Sequence, residues 1–399
     1  MDFLEPGRKP VHMFIASDFF WLLRKFTRTW MVAPSQQCVR IVQGGSSLSY
    51  PHGVLKYTFD MAKKGKDVLF IAEVSANHLG SLERAKQIVV AAAKAGASAI
   101  KFQTYTADTM TLDIEEFKVS DDHELWGGRR LHSLYQEAHT PWEWHPELFE
   151  LCRSLHVLPF SSPFDLSAIK FLESLKAPMY KIASLETGDH RLIRAAAETG
   201  KPLIVSTGAT HLEEIAELVS VVEKVGNTDL TLLLCTSSYP SDPADAHLSR
   251  LETLRSRFGV KVGLSDHTLG IGVSTAAIAL GATVIEKHLT LRRSDGGADG
   301  AFSMEPEEFA LLVKEGSSAA VAIGSPEWKI QVSEEESRRL RRSLYIVKHV
   351  QAGELATEEN VRAIRPGGGC SPKLIEAILG GKFIQSHSAG TPMHPELVS

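Results

Sequence analysis

The stretch VLFIAEVSANHLGSLERAKQIVVAAAKAGASAIKFQT, residues 68–104, decides the fold because it has the pattern of a strand, a helix and a second strand. The strands are predicted at the apolar runs 68–75 and 99–104. Between them, the apolar residues that share one face of a helix are Leu82, Ala85, Val89 and Ala92. A helix that connects two parallel strands covers the sheet, so the stretch predicts one unit of a parallel α/β fold.

Six further apolar runs follow along the chain and complete a set of eight. They span residues 158–163, 179–184, 203–208, 230–237, 261–267 and 284–290. Nearly all of the eight end in a polar residue that is able to do chemistry. The repetition predicts an α/β fold of the (β/α)₈ TIM-barrel class over residues 66–325, with the reacting groups where the strands finish.

The chain is longer than a barrel of this type requires. A barrel takes roughly 250 residues, and the chain has 399. Residues 1–65 differ in composition and are expected to form an extension, either a surface or partner-docking helix or a poorly ordered segment. A charged linker is predicted at 326–342. Residues 343–399 would then form a small domain that caps the barrel.

The composition argues against several classes of protein. A formal net charge of −5 gives no broad basic surface for nucleic acid. The apolar stretch near the N-terminus is too short and interrupted for a membrane span, and it lacks a convincing cleavage site. The four cysteines show no close pairing, which favours reduced thiols in a cytoplasmic protein. One of them, Cys235, is predicted to be a small core residue.

The connection between the second and third runs is unusually long. From Tyr105 to about His145 no strand is predicted, and such length is typical of a lid or a binding loop. The segment carries aromatic residues that suit sugar faces or acetyl groups: Trp126, Tyr135, Trp142, Trp144 and His145. A helical hairpin with ordinary packing aromatics is the alternative.

Two histidines near the ends of the last two runs predict a metal site. Ser265 and His267 lie two residues apart and share one face of a strand, as do Glu286 and His288. Because neighbouring strands lie about 4.8 Å apart, both imidazoles could converge on one divalent cation. Two nitrogen ligands would leave positions open for substrate. Either histidine alone would indicate only a hydrogen-bonded residue of the barrel wall.

Lysines and serines at the strand ends predict an anion site. They are Lys101, Lys181, Ser162, Ser184, Ser206 and Ser265. Ammonium charges together with hydroxyl donors suit a phosphate dianion. Two alternatives stay open. Each lysine could pair with a barrel carboxylate such as Glu73 or Glu186, or one lysine could be the Schiff-base nucleophile of an aldolase.

Further polar groups could orient the hydroxyls of a polyol substrate. Glu73 and Asn77 end the first strand, although Asn77 could instead cap the following helix. Asp295 and Asp299 lie on a Gly-rich loop after the eighth strand and could be plain turn residues.

Several motifs resemble the sialic acid synthase family in the family order, over residues 68–399. They are AEVSANHLG, SSPFD, YKIASLE, IVSTGAT, CTSSYPS, GLSDHT, IEKHLTL and the terminal RPGGG unit. LWGGRRLHSLYQEAHTPWEWH and SSPFD are most similar to the pseudaminic acid synthases of the family. Ser237 departs from the neuraminate branch, which has Asn at this place, and fits a different sugar. Residues 1–65 also depart from the family.

The resemblance implies a reaction and two substrates. Phosphoenolpyruvate would condense with the open-chain aldehyde of a diacetamido-trideoxy hexose, 2,4-diacetamido-2,4,6-trideoxy-L-altrose, giving pseudaminic acid and phosphate. Neuraminate and legionaminate are alternative products. Lys101, Lys181 and the four serines would bind phosphoenolpyruvate. His267 and His288 would hold the metal, Mn²⁺ first, with Mg²⁺ or Co²⁺ as other candidates.

The resemblance also implies sugar contacts and an assembly. Glu73, Tyr239 and Asp299 would contact the sugar. Arg365 would reach it from a C-terminal domain that resembles type III antifreeze protein, called an SAF domain. In a domain-swapped homodimer, this domain would close the mouth of the partner's barrel.

The chemistry of this reaction agrees with the predicted residues. Carbon three of phosphoenolpyruvate is a weak nucleophile, so His267 and His288 would act through a metal that polarises the aldehyde. The protons of the water that adds at carbon two would be handled by a metal-bound water, Glu286 or Glu73. Two rival functions remain: a metal-free class I aldolase that uses Lys101 or Lys181, and a non-catalytic sugar-binding barrel.

Overall fold

Eight parallel strands form a closed barrel in the order of the sequence. The computed structural model describes residues 68–121 and 126–399, which lie within one compact unit, Asp60–Ser399. The strands are β1 (Leu69–Glu73), β2 (Ala99–Thr104), β3 (Leu158–Pro163), β4 (Tyr180–Ile182), β5 (Leu203–Ser206), β6 (Leu230–Cys235), β7 (Lys261–Ser265) and β8 (Val284–His288). The predicted barrel is confirmed. The expectations for residues 1–65 lie outside the described residues.

Helices follow the strands and cover the barrel. They are α1 (Leu82–Lys94), α2 (Ala107–Met110), α3 (Leu131–Ala138), α4 (His145–Ser154), α5 (Leu166–Ser174), α6 (His190–Ala197), α7 (Leu212–Lys224), α8 (Arg250–Phe258), α9 (Gly272–Ala279) and α10 (Pro306–Ala322). Ser81 caps the start of helix α1, because its side chain accepts a hydrogen bond from the amide of Arg84. Its predicted inner face is buried at Ala85, Val89 and Ala92.

The inside of the barrel has an apolar layer below a polar one. The apolar layer consists of Leu69, Ile71, Ala99, Phe160, Met179, Ile204, Leu233 and Val284. Because side chains alternate along a strand, the residue two positions later points to the same face. That rule places Lys101 above Ala99, Lys181 above Met179 and Glu286 above Val284. The apolar layer therefore supports the groups of the polar layer.

Gly263 on β7 shows how tightly the apolar layer packs. A Cβ at this position would lie 2.4 Å from the carbonyl oxygen of Val284 and 2.6 Å from Leu233 Cδ2. Any larger residue would push the neighbouring strands apart at the base of the cavity.

The C-terminal residues form a small unit with its own core. Strands β9 (Ser343–Ile346) and β10 (Val361–Ile364) pair antiparallel, and α12 spans Ile375–Ile378. Its core consists of Leu344, Ile346, Val350, Ala356, Val361, Ile378, Phe383 and Met393. The predicted linker contains the short helix α11 (Glu335–Arg339). Residues 321–342 are all exposed. The kinship with antifreeze-type domains stays a prediction.

Over the described part of the chain, every helix is too short or too polar to cross a bilayer.

Candidate active site

A cavity of about 300 Å³ opens at the carboxyl ends of the barrel strands. Ten of the residues predicted from the sequence line it: Lys101, Lys181, Ser184, Ser206, Tyr239, Ser265, His267, Glu286, His288 and Asp299. Strands β2 and β4 to β8, or the loops that follow them, bring these side chains together. Both lysines, three of the predicted serines and the histidine pair therefore lie in one cavity.

Other predicted residues do not line the cavity. Glu73 and Ser162 lie behind Lys101, whose Nζ is 3.0 Å from Glu73 Oε2 and 3.4 Å from Ser162 Oγ. Asn77 is fully buried and donates to the carbonyl of Leu289 and to Ser303 Oγ, so it joins loops of the barrel instead of facing a substrate. Arg365 is exposed and follows β10 in the C-terminal unit.

Buried ion pairs hold both lysines in place. Lys101 Nζ lies 3.1 Å from Glu286 Oε1, in addition to its contact with Glu73. Lys181 Nζ lies 3.4 Å from the same Glu286 oxygen, which also accepts a hydrogen bond from Ser265 Oγ. The alternative that the lysines pair with barrel carboxylates is thus correct in part, with Glu286 in place of Glu186. Because the pairs lie in the cavity wall, the ammonium groups still face it.

The two carboxyl groups of this cluster differ in their protonation. Burial raises the pKa of Glu73 to about 7, although Lys101 opposes the shift. Burial also acts on Glu286, but Lys101 and Lys181 outweigh it and hold the pKa of Glu286 below its usual range. Near pH 7 Glu73 is only partly ionised, so two ammonium groups face one full and one partial carboxylate charge, and the cluster is slightly positive. Such a cluster favours an anionic ligand.

Burial lowers the pKa of Lys181, against the opposing effect of Glu286. For Lys101 the same burial is outweighed by Glu286 and Glu73, and its pKa is raised. The ammonium form of Lys101 is therefore the firmer of the two anion-binding charges.

Three polar atoms in the cavity wall are buried and lack a hydrogen-bond partner among the residues that the structure describes. They are Ser206 Oγ, Glu286 Oε2 and His288 Nδ1. Buried polar atoms in folded proteins are nearly always paired, so unpaired ones in a cavity indicate a ligand that completes them.

The histidine pair fits a divalent cation. The ring centroids of His267 and His288 lie 5.3 Å apart. His267 Nδ1 lies 3.0 Å from the carbonyl oxygen of Thr236, which can only accept, so in the neutral ring this nitrogen carries the proton and Nε2 keeps its lone pair. Within residues 68–121 and 126–399, no third His, Cys, Asp or Glu completes a metal-binding group with them. Two imidazoles with an unpaired nitrogen suit a site that keeps positions for substrate.

Cys235 is a residue for which the sequence interpretation was wrong. It is not a core residue, because it lines the cavity with its Sγ 4.0 Å from His267 Nδ1. The signal was present in the strand alternation, since Leu233 in the apolar layer lies two residues before it.

Gln103 is a cavity residue that the sequence interpretation did not include. Its amide donates to Ser75 Oγ, which in turn donates to Asp299 Oδ2. Asp299 is thus a wall residue and more than a turn residue, whereas Asp295 pairs with Arg84 at 2.8 Å.

The long segment after β2 serves as both a cavity wall and a packing hairpin. Trp126 and Tyr135 line the cavity, and Trp126 Nε1 donates to the carbonyl of Ala298 at 3.1 Å. Farther along, Trp142 stacks on Phe171, and His145 contacts Thr104 Oγ1 at 2.8 Å. The interpretation as a binding loop holds for Trp126 and Tyr135, and the interpretation as a packing hairpin holds for Trp142 and His145.

Comparison with known proteins gives consistent matches. The model of the NeuB family matches residues 88–327. The pseudaminic acid synthase of Helicobacter pylori is 44% identical over 324 residues, which cover 81% of this chain and 95% of that protein. The N,N'-diacetyllegionaminic acid synthase of Legionella pneumophila is 38% identical over 81% of this chain and 92% of its own length.

A solved structure supports the same relationship. The N-acetylneuraminic acid synthetase of Leptospira borgpetersenii, in complex with citrate, superposes with a TM-score of 0.62 at 34% identity. The superposition covers 68% of this chain and 90% of that one.

Proposed function

The chain belongs to the NeuB family, and on that premise we propose that it condenses phosphoenolpyruvate with 2,4-diacetamido-2,4,6-trideoxy-L-altrose. The products would be pseudaminic acid and inorganic phosphate. The observation that carries the proposal is the single cavity in which two lysines, three serines and two histidines converge. The choice of sugar is supported by the 44% identity to the Helicobacter pylori pseudaminic acid synthase.

The phosphate and carboxylate of phosphoenolpyruvate would bind at the lysine side of the cavity. Lys101 and Lys181 supply positive charge, and Ser184, Ser206 and Ser265 supply hydroxyl donors. Ser206 Oγ has no partner in the described residues, so binding would satisfy it without breaking an existing bond. The raised pKa of Glu73 reduces the negative charge that would oppose this binding.

The reaction forms one carbon–carbon bond and releases phosphate. Carbon three of phosphoenolpyruvate attacks the aldehyde carbon, and the aldehyde oxygen takes up a proton to become a hydroxyl. Water adds at carbon two and gives up a proton, and the bond from carbon two to the phosphate oxygen then breaks, which releases inorganic phosphate and leaves the keto acid. Glu286 faces the cavity as a carboxylate and is the group we assign to accept a proton from that water. Glu73 lies behind Lys101, and with a pKa of about 7 it can take up or release a proton near neutral pH.

The cofactor that we propose is a divalent metal, Mn²⁺ first, held by His267 and His288. When bound, it would act as a Lewis acid toward the aldehyde oxygen. The residues themselves orient the site, because the carbonyl of Thr236 fixes the ring of His267 and Phe302 packs against His288 with centroids 5.0 Å apart.

We also propose a domain-swapped homodimer in which the C-terminal unit closes the partner's cavity with Arg365. Residues 321–342, which precede this unit, are exposed along their whole length, and Trp328 is fully exposed. Exposed apolar side chains on a linker suit burial against a second copy. A closed cavity would exclude water from the condensation.

Measurements of phosphate release and of product mass test the proposal. The enzyme with Mn²⁺ is given phosphoenolpyruvate and one of three aldehydes, namely the trideoxy altrose derivative, its legionaminate-forming isomer and N-acetylmannosamine. We expect release with the first, and a product heavier than the sugar by pyruvate. If phosphate is released only with one of the other two sugars, that sugar is the substrate in place of the trideoxy altrose derivative. Trapping of pyruvate by borohydride would instead support the aldolase, and binding without turnover would support the non-catalytic barrel.

Loss of either histidine is a prediction that tests the metal. His267→Ala and His288→Ala are each expected to lower kcat/KM roughly a thousandfold, because the aldehyde would no longer be polarised. Binding of Mn²⁺, measured by electron paramagnetic resonance, should weaken in parallel. His349→Ala, on the exposed surface of the C-terminal unit, is the matched control. Unchanged Mn²⁺ binding in both site variants would contradict the assignment.

A further inference from the structure

The cavity has two chemically different sides. The strand ends contribute the charged and hydroxyl groups described above. The segment between β2 and α4 contributes the rings of Tyr105, Trp126 and Tyr135, together with five side chains that we call the apolar wall. They are Met110, Val119, Leu131, Leu134 and Ala138. None of these side chains carries a strong hydrogen-bonding group.

Local contacts hold the apolar wall in a defined position. A backbone hydrogen bond joins the first residue of α3 to the strand-like chain near Val119: the amide of Leu131 donates to the carbonyl of Phe117 at 2.9 Å. Arg130 pairs with Asp113 at 2.7 Å, and His132 contacts Asp108 at 2.9 Å. These contacts fix the start of α3 and thus the side chains of Leu131 and Leu134.

A chain of aromatic rings joins the segment of the apolar wall to the histidine pair. Trp126 lies 5.9 Å from Tyr239 between ring centroids, and Tyr239 lies 4.5 Å from His267. Since the aldehyde is proposed to react near His267, the rest of the sugar would extend along the remaining lining of the cavity. The apolar wall contributes five side chains to that lining, beside the rings of Tyr105, Trp126 and Tyr135.

We propose that the apolar wall selects a sugar that carries methyl groups where common hexosamines carry hydroxyls. The inference rests on the proposed function and adds the residues that determine its specificity. A hydroxyl buried against these side chains would lose its bonds to water and find no new partner. A deoxy methyl or an acetamido methyl at the same place gains apolar contact. Discrimination of roughly tenfold or more per group follows from such a pocket.

A pair of sugars that differ in one hydroxyl tests the wall. The first is the trideoxy sugar, and the second is the same sugar with a hydroxyl at carbon six. Wild-type enzyme should prefer the first by roughly tenfold or more in kcat/KM and in calorimetric Kd. Leu131→Asn and Leu134→Asn place an amide in the wall without a large change in volume. Each should reduce that preference several-fold while the KM for phosphoenolpyruvate stays within about twofold of wild type.

A control variant outside the cavity and two contrary results complete the test. Leu311→Asn alters an exposed residue of α10, outside the cavity, and should keep the wild-type preference. If Leu131→Asn and Leu134→Asn both fold and keep the full preference, the apolar wall does not determine specificity. If wild-type enzyme releases no phosphate with either sugar, the proposed function fails. Calorimetry of the two sugars then still tests the wall, and equal affinities would overturn it.

Discussion

Burial shifts the pKa of single side chains around this barrel in directions that depend on their charge and their partners. A carboxyl group such as Glu73 is held toward its neutral, protonated form. An imidazole such as His145 is also held neutral, which for histidine means loss of the proton. For Glu286 the effect of burial is outweighed, because Lys101 and Lys181 stabilise its ionised form and lower its pKa. This cluster thus contains one carboxyl group that stays ionised and another that titrates near neutral pH.

His145 gives a prediction for the dependence of stability on pH. Burial lowers its pKa from 6.5 to about 4, and it is fully buried between Thr104 and the carbonyl of Pro141. Below pH 6.5 the unfolded chain binds a proton that the folded chain refuses, so stability falls as the pH drops toward 4. From pH 7 to pH 5, this one group should lower the free energy of unfolding by about 2 kcal/mol.

Replacement of His145 by glutamine tests that sign. His145→Gln removes the titrating group and can still bond to Thr104, so its unfolding free energy should fall less than that of wild type between pH 7 and pH 5. Urea unfolding followed by circular dichroism at the two pH values measures the difference. His349→Gln, at an exposed position, controls for the loss of a histidine. An equal fall in wild type and His145→Gln would show that burial of His145 is not the cause.

The chemistry of single residues was predictable where it follows from strand alternation. His267 and His288 were found this way, because each shares a strand face with the residue two positions before it. Both lysines were found from their place near the strand ends, where the reacting groups of such a barrel lie. The partner of each lysine was not predictable. Glu73, Glu186 and Glu286 all lie near strand ends, and the choice depends on distances across the barrel that no local pattern encodes. Cys235 was misassigned because its apolar neighbours in β6 suggested a core position.

At the level of elements, a buried ion pair connects the ends of β7 and β8. Lys287 Nζ lies 3.1 Å from Asp266 Oδ2, and both side chains are almost completely buried. Lys287 also donates to the carbonyls of Thr268 and Gly270, and Asp266 accepts from Ser274 on α9. The two residues precede His288 and His267 and point to the opposite face of the strands. They therefore fix the segments that carry the histidines.

Removal of one member of this pair should be strongly destabilising. Lys287→Met leaves Asp266 as a buried carboxylate without its cation, and we expect a loss of about 3–5 kcal/mol in the free energy of unfolding. The double variant Asp266→Asn, Lys287→Met should be less unstable than the single one, because no uncompensated charge remains. Lys170→Met, on the exposed face of α5, is the control. Urea unfolding compares the four proteins, and equal losses in the single and double variants would rule out charge pairing as the cause.

The elements were predicted with uneven success for physical reasons. All eight barrel strands were found, because each is a short apolar run bounded by helix or turn residues. Several predicted strands were too long at their ends. The residues after the strand, such as Ser184 and His267, have left the ladder and turn into the cavity wall. The segment after β2 was ambiguous, since aromatic residues serve a packing helix and a binding wall equally well.

At the level of the whole molecule, the C-terminal unit has a separate core and follows an exposed linker. Its core residues, such as Leu344 and Phe383, belong to a cluster distinct from that of the barrel. Arg365 lies on this unit and is exposed, outside the residues that line the cavity of its own chain. The proposed domain swap would bring Arg365 to the cavity of the partner. Activity of mixed dimers can separate action within one chain from action between chains.

Two inactive variants should restore each other's activity if Arg365 acts on the partner. Arg365→Ala keeps an intact barrel, and His267→Ala keeps an intact Arg365. Each homodimer lacks one required group at every site, whereas a mixed dimer has one complete site, formed by the barrel of the first chain and Arg365 of the second. Random pairing on co-expression would make half of the dimers mixed, so phosphate release should reach about a quarter of the wild-type rate. Co-expression of His267→Ala with His288→Ala is the control and should recover nothing. Each of these changes disables the barrel of the chain that carries it, so a mixed dimer has no complete site. If Arg365→Ala alone keeps full activity, or if the mixed dimers purified through two different tags remain inactive, Arg365 does not complete the partner's site.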